Sequence, residues 1–258
     1  MVEYEVAGHV ALITLNRPDA RNAVNGEVAA ALEGAIDQME DDGEVWLGLL
    51  RANTDGQSRP VFCAGADLKE INAGRGGSLS TERGGFAGFV NRSRVKPIIA
   101  AVDGLATAGG CEIVLACDLV VASTRSSFGL AEVKRNLVAA GGGLYRLPKA
   151  IGRRPAMEAI LTGEPFSAER AFQLGLVNRL VAPEDVESEA MALAGQVESS
   201  APVAMWESRA VVLASEYENE DELLRRTNRA MAKAMASDDV REGLAAFIEK
   251  RPPRWTGH

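Results

Sequence analysis

The chain is poor in histidine: there are only two, His9 and the terminal His258. A Ser-His-Asp or Cys-His catalytic set has no well-placed base to recruit, and the HExxH arrangement of a zinc protease is absent. Cysteine is almost as scarce. Cys63, Cys111 and Cys117 leave one thiol unpaired in any disulfide scheme and match no zinc-ligand spacing. They are read as buried free thiols of a cytoplasmic protein, with a catalytic thiol at Cys63 or Cys111 as the alternative. Long apolar runs are also missing. The longest, Ile113 to Ala122, is interrupted by Asp118 and falls well short of the roughly 20 residues that cross a bilayer. Met1 to Val10 has no signal-peptide layout, so no membrane partner is expected. There is no basic excess either. The 28 Lys and Arg against 36 Asp and Glu give a net charge of -8, which argues against nucleic acid as a partner. Chemistry therefore falls to carboxylates, backbone amides or a cofactor, and no metal site is expected.

What is present is an ordinary globular composition, 47% hydrophobic and 25% charged, able to bury a large core without staples. His9 to Leu15 reads as a strand ended by Asn16-Arg17-Pro18-Asp19. From Asn25 a helix places Val28, Leu32, Ile36 and Met39 on one face. Val45 to Leu50 and Ile98 to Val102 read as buried strands, and Asp118 to Ala122 as another. Ala66 to Ile71 and Gly109 to Cys117 read as helices. Ala73 to Gly85, with five glycines, reads as a surface loop that cannot pack a core, either covering a site or disordered. Beyond Gly141 the pattern is mainly helical. A helix capped by Ser167 ends at Gly175, Leu176 to Val181 is a short strand, and helices follow from about Glu184, Val203, Glu220 and Asp239. Asp239 and Glu242 have capping-box spacing. Alternating strands and helices followed by a helical tail make an α/β protein.

Two stretches set small residues where a strand meets a helix: Phe62-Cys63-Ala64-Gly65-Ala66-Asp67-Leu68-Lys69-Glu70 and Ala106-Thr107-Ala108-Gly109-Gly110-Cys111-Glu112. Small side chains let a ligand approach the backbone, and amides at a helix start are unpaired. Such a turn serves tight packing or, if two amides converge, an oxyanion hole. Glu112 near a helix start and Glu132 in Phe128-Gly129-Leu130-Ala131-Glu132 are either surface groups or a pair that exchanges protons across one site.

With Lys96-Pro97-Ile98-Ile99-Ala100-Ala101-Val102-Asp103-Gly104, Cys117-Asp118, Leu161-Thr162-Gly163, Ala171 to Val177 and Phe247-Ile248-Glu249-Lys250-Arg251, these segments resemble the crotonase (enoyl-CoA hydratase/isomerase) superfamily in order and spacing, over essentially the whole chain. The resemblance implies a spiral of repeated ββα units over 1–195 and a C-terminal helical oligomerisation region over 196–258, assembled as a trimer or a hexamer of paired trimers. It implies oxyanion-hole amides at Ala64 and Gly109, with Glu112 holding water and Glu132 protonating Cα. The implied reaction is reversible hydration of a 2-enoyl-CoA, as in fatty-acid metabolism, with no permanently bound cofactor because the substrate carries coenzyme A. Contacts to coenzyme A are expected from Arg17, Arg21, the Ala64, Gly65, Ala66 and Asp67 backbone and Lys69, and from Phe247 and Lys250 of a neighbouring subunit.

Ala131 stands where many hydratases have proline, and Asn136 to Gly143 departs from the commoner glycine-rich loop, which leaves the acyl group open. Gly85-Phe86-Ala87-Gly88, Arg146-Leu147-Pro148-Lys149 and the segment ending at Trp255 lean toward the carnitinyl-CoA dehydratase branch. Enoyl-CoA isomerisation, and a non-catalytic scaffold or RNA-binding member, are the remaining alternatives.

Overall fold

The computed structural model describes every residue from Met1 to His258. Strands β1 (Val2–Ala7) and β2 (Val10–Leu15) form an antiparallel hairpin. His9 therefore lies in the turn rather than in a strand. β1 is absent from the elements read from sequence because its alternation carries Glu3 and Glu5 along a largely exposed edge. Helix α1 (Gly26–Asp41) starts where the Asn25 side chain accepts from the Val28 amide, 2.9 Å away, and buries Val28, Leu32, Ile36 and Met39. Its last carbonyls have no partner inside the helix. The buried Lys96 ammonium supplies one, donating to the Met39 and Asp42 carbonyls at 2.6 Å each. The Lys96-Pro97 pair thus ties the end of α1 to the strand that follows it.

Three successive turns of chain then repeat one plan. β3 (Leu47–Ala52) leads to β4 (Val61–Cys63) and α2 (Leu68–Asn72), and a small hairpin of β5 (Ser80–Thr81) and β6 (Gly85–Phe86) intervenes. β7 (Ile98–Val102) leads to β8 (Leu105–Thr107) and α3 (Gly109–Leu115). β9 (Leu119–Ser123) leads to β10 (Ser127–Gly129), the helical turn Glu132–Arg135 and α4 (Gly143–Ile151). The first strand of each turn joins a parallel run β3, β7, β9 in one sheet, and the second joins β4, β8, β10 in another. The result is a spiral of ββα units. The strands β8 and β10, three residues each, are too short to register in a periodicity reading.

α5 (Arg153–Thr162), β11 (Phe166–Ser167), α6 (Ala168–Leu174), β12 (Arg179–Val181) and α7 (Val186–Glu198) complete the two sheets and cover one face. α8 (Pro202–Ala214), α9 (Glu220–Ala236) and α10 (Asp239–Glu249) end the chain. In β7, Ile98, Ala100 and Val102 face a core shared with α1, Phe62 and Phe128, while Ile99 and Ala101 face α7. Burial on both faces is why that strand is an unbroken apolar run. No helix is long and apolar enough to cross a membrane.

Two further expectations fail. The Ala73–Gly85 segment is not without packing, since Leu79 is buried and the β5–β6 pair closes it. Asp239 and Glu242 do not form a capping box. Asp239 accepts from the Thr256 and Gly257 amides at 2.7 and 2.9 Å, and Glu242 accepts from the Arg254 amide and the Arg251 guanidinium. Both carboxylates are drawn to the C-terminal tail, which supplies more donors than one helix end.

The spiral presses α3 onto β4 so closely that a Cβ on Gly110 would sit 2.1 Å from the Cys63 carbonyl oxygen. Gly110→Ala must therefore push the helix off the strand, at a cost of about 1–3 kcal/mol for overpacking. Urea denaturation should show a lower midpoint with an unchanged slope, and an unshifted midpoint would contradict this packing.

Candidate active site

The close contact of α3 and β4 has a chemical consequence. At Gly65 the chain adopts φ +81°, and a Cβ there would stand 2.8 Å from the Gly109 nitrogen. Only a glycine leaves that amide uncovered. Gly109 opens α3, so its N–H has no carbonyl one turn earlier within the helix to donate to. The preceding Ala108 is held at φ 51°, ψ -128°, a conformation that costs a residue with a Cβ about 1–3 kcal/mol and collects at functional sites. It is anchored by its own amide, which donates to the Gly129 carbonyl at 2.9 Å.

Facing Gly109 is the segment after β4, where the expectation for Ala64 must be corrected. The Ala64 amide donates to the Arg21 carbonyl at 3.1 Å and is not available to a ligand. Two residues on, Ala66 forms a parallel bridge with Val24. Val24 donates to the Gly65 carbonyl, and Asp67 donates to the Val24 carbonyl, at 2.8 Å each. In such a bridge the central residue's own N–H points away from its partner. The Ala66 N–H has no acceptor in the protein. The two free amides are thus those of Ala66 and Gly109, and both residues line one cavity of about 880 Å³.

Glu112 and Glu132 line the same cavity. Glu112 projects from α3 and is only 4% exposed, with Oε1 accepting from the Gly143 amide at 2.9 Å. Burial raises its carboxyl above the usual range, opposed by the Gly143 and Gly141 amides and the charge of Arg146. Glu132 begins the helical turn after β10. Burial pushes its carboxyl up to about 7, and the neighbouring Glu112 charge adds to the push. Its Oε2 is buried without a hydrogen-bond partner, an arrangement that stores the cost of an unmet acceptor until a ligand meets it.

The remaining expected residues divide. Arg21 and Asp67 line the cavity, as do Ala64 and Ala66. Arg17 does not. Its Nη1 is spent on Asp67 Oδ2 at 2.8 Å and on the Ala23 carbonyl at 3.0 Å, and the pairing holds the Asp67 carboxyl below its usual range. Asp67 in turn caps α2 by accepting from the Lys69 amide, so the pair is a brace for the loop. Lys69 also lies outside the cavity lining, and Phe247 and Lys250, expected to reach a neighbouring subunit's site, do not line this one. Neither histidine lines it, and a catalytic thiol is excluded: Cys63 and Cys111 are fully buried, and burial pushes the Cys63 thiol up to about 12.

Phe86, Lys134 and Arg135 line the cavity although the sequence reading does not place them at the site. Phe86, from the glycine-rich hairpin, sits over Gly109, where a Cβ would come within 2.3 Å of its ring. Lys134 and Arg135 bring positive charge to the wall beside Glu132. The basic pair next to the second glutamate was the available signal.

The profile of the family described as "Enoyl-CoA hydratase/isomerase" matches residues 5–258. A probable enoyl-CoA hydratase of Rhizobium meliloti is 38% identical over 250 residues, covering 96% of this chain and 94% of that protein. The crystal structure of an enoyl-CoA hydratase from Mycobacterium tuberculosis superposes with a TM-score of 0.93 at 42% identity, covering 100% of this chain and 99% of the other. A carnitinyl-CoA hydratase from Mycobacterium avium is 39% identical with a TM-score of 0.76, covering 100% and 98%.

The raised carboxyl of Glu132 has a signature in stability. A carboxyl whose folded value, about 7, exceeds its ordinary 4.5 favours folding fully below the lower value and loses that advantage as pH rises through the higher one. Glu132→Gln removes the ionisation. Its melting temperature should rise relative to the parent at about pH 8 and gain least at about pH 4. Scanning calorimetry at the two pH values checks this, and an equal shift at both would contradict it.

Proposed function

The chain belongs to the enoyl-CoA hydratase/isomerase family, and from that premise we propose that it is an acyl-CoA lyase that adds water reversibly across a 2-enoyl-CoA to give a 3-hydroxyacyl-CoA. One observation carries the reading. Two free amides, of Ala66 and Gly109, and two buried carboxylates, of Glu112 and Glu132, share one cavity.

In the hydration direction the thioester oxygen accepts from the two amides, which draws electrons from the double bond and leaves Cβ electrophilic. Water, held by the fixed Glu112 carboxylate, gives it a proton as its oxygen bonds to Cβ. The π pair moves toward the thioester, and the enolate oxygen is held by the same amides. Each such donor contributes about 2.7–4 kcal/mol. The protonated Glu132 then delivers a proton to Cα, and the proton gained by Glu112 restores the balance through water. A carboxyl near 7 stays partly protonated at neutral pH, as a general acid must and an ordinary carboxyl does not, and such acid-base help is worth about 10²–10⁴-fold. Arg21, Lys134 and Arg135 along the cavity suit the phosphates of coenzyme A.

Separate Glu112→Gln and Glu132→Gln variants should each lose at least about 10²-fold in turnover of crotonyl-CoA, read from the loss of enoyl-thioester absorbance. Near-normal turnover in either variant removes the role given to that residue. The likeness to a carnitinyl-CoA hydratase favours a second reading, dehydration of a carnitinyl-CoA. Mass spectrometry on a thioester panel separates the readings: hydration adds a water, dehydration removes one, and isomerisation leaves the mass unchanged.

We further place the protein in a reducing, cytoplasmic setting, which its three free cysteines suit, and assign residues 196–258 to assembly into a trimer or a pair of trimers. Supporting assembly, α9 and α10 present Leu224, Met231, Met235, Leu244, Phe247 and Ile248 to the outside, the last two 83% and 77% exposed. An apolar face of this extent on a monomer marks a partner surface. Light scattering should return a mass of three chains or a multiple of three, and Phe247→Glu with Ile248→Glu should lower it to one. A monodisperse monomer in the parent protein would contradict the assignment.

A further inference from the structure

A second cavity, of about 610 Å³, lies between α4, α8 and the segment just before β7. Its charge is lopsided. Arg92, Arg94, Arg146, Lys149 and Arg209 line it, against Asp118 and Glu216 alone. Two of the cations are already matched: Arg92 by Asp37 at 2.5 Å and Lys149 by Glu216 at 2.9 Å. Of the other three, Arg94 and Arg209 share one carboxylate, and Arg146 has none. Asp118 gives one oxygen to the Ile98 amide at 2.8 Å and the other to Arg209 Nε at 2.7 Å, and Arg94 Nη2 stands 3.7 Å from it. Asp118 therefore has little left for Arg94.

Arg94 is the exposed weakness of this arrangement. Its side chain is only 6% accessible, its Nε is buried without an acceptor, and only Nη2 makes a hydrogen bond, to the Ala116 carbonyl. Arg209 spends Nε on Asp118 and Nη1 on the Arg94 carbonyl, with no bond made through Nη2. Burying a guanidinium with idle donors beside two others is costly unless an anion compensates it. Guanidinium groups match planar carboxylates and phosphates through paired hydrogen bonds. The walls add apolar surface from Leu115, Val212 and Leu213.

We propose that this cavity is a binding site for a small oxyanion, a carboxylate or a phosphate, held by Arg94 and Arg209 and separate from the acyl-CoA cavity. It is wired to that cavity through Arg146, which lines the anion site and donates from Nη1 to the Gly141 carbonyl and from Nη2 to the Val90 carbonyl at 3.0 and 2.6 Å. Gly141 lies against the Glu112 carboxylate, where a Cβ would be 2.6 Å from Oε2. An anion that pulls on Arg146 thus acts on the loop that seats Glu112.

The test is calorimetric titration of the assembled protein with hexanoate and, separately, with inorganic phosphate, each with and without saturating coenzyme A. Saturable binding of at least one probe at one per chain, not displaced by coenzyme A, is expected, and the better probe identifies the head group. Arg94→Gln should weaken it at least tenfold. Because that change also disturbs Asp118, Val212→Glu serves as the second variant. Val212 is an exposed wall residue, and the new carboxylate should repel the anion without disturbing the core. Absence of saturable binding, displacement by coenzyme A, or binding unchanged in Val212→Glu would overturn the proposal. So would a crystal structure in which a neighbouring copy's side chain fills the cavity.

Discussion

The active cavity depends on one close approach: backbone against backbone at Gly65 and Gly109, with no side chain between them. That approach leaves the Gly109 amide uncovered at the start of α3. It also brings α3, and Glu112 on it, beside the segment that carries the Ala66 amide. The parallel spiral of ββα units makes this possible, because β4 and β8 are neighbours in one sheet and each is followed at once by its helix. The strained Ala108 and the Gly110 contact to Cys63 show that the fold spends stability to hold the two segments together.

Electrostatics follow from the same enclosure. Desolvation raises both carboxyls, yet they are not equivalent. Glu112 is held by the amide of Gly143, which opens α4, and lies near Arg146, so its position is fixed from two sides. Glu132 has an oxygen with no partner and carries the larger burden. Two carboxylates in one cavity with different neighbours are driven apart in acidity. That separation allows one to hold a water while the other carries a proton.

Much of this was legible in the sequence, and the failures have physical reasons. The α/β class, the long strands, α1 and the two glutamates follow from periodicity, from strand-to-helix junctions and from the resemblance of whole segments to a family. The identity of the second amide donor does not. Ala64 and Ala66 are the same residue type two positions apart, and the choice between them is made by Arg21 and Val24, some forty residues away in the chain, through a bridge no local pattern encodes. Arg17 reads as a ligand contact because it is basic and lies beside the expected coenzyme A loop, whereas its guanidinium braces Asp67. Asp239 and Glu242 have the spacing of a helix cap, yet a tail that folds back outcompetes the helix end for both.

The central claim is that Ala66 and Gly109 together hold the thioester oxygen. A crystal structure with an unreactive acyl-CoA analogue tests it most directly. The account predicts the thioester oxygen at about 2.7–3.1 Å from both nitrogens, with the carboxylates of Glu112 and Glu132 on either side of the Cα–Cβ bond. An oxygen bound instead to Ala64, or to one amide alone, would contradict it.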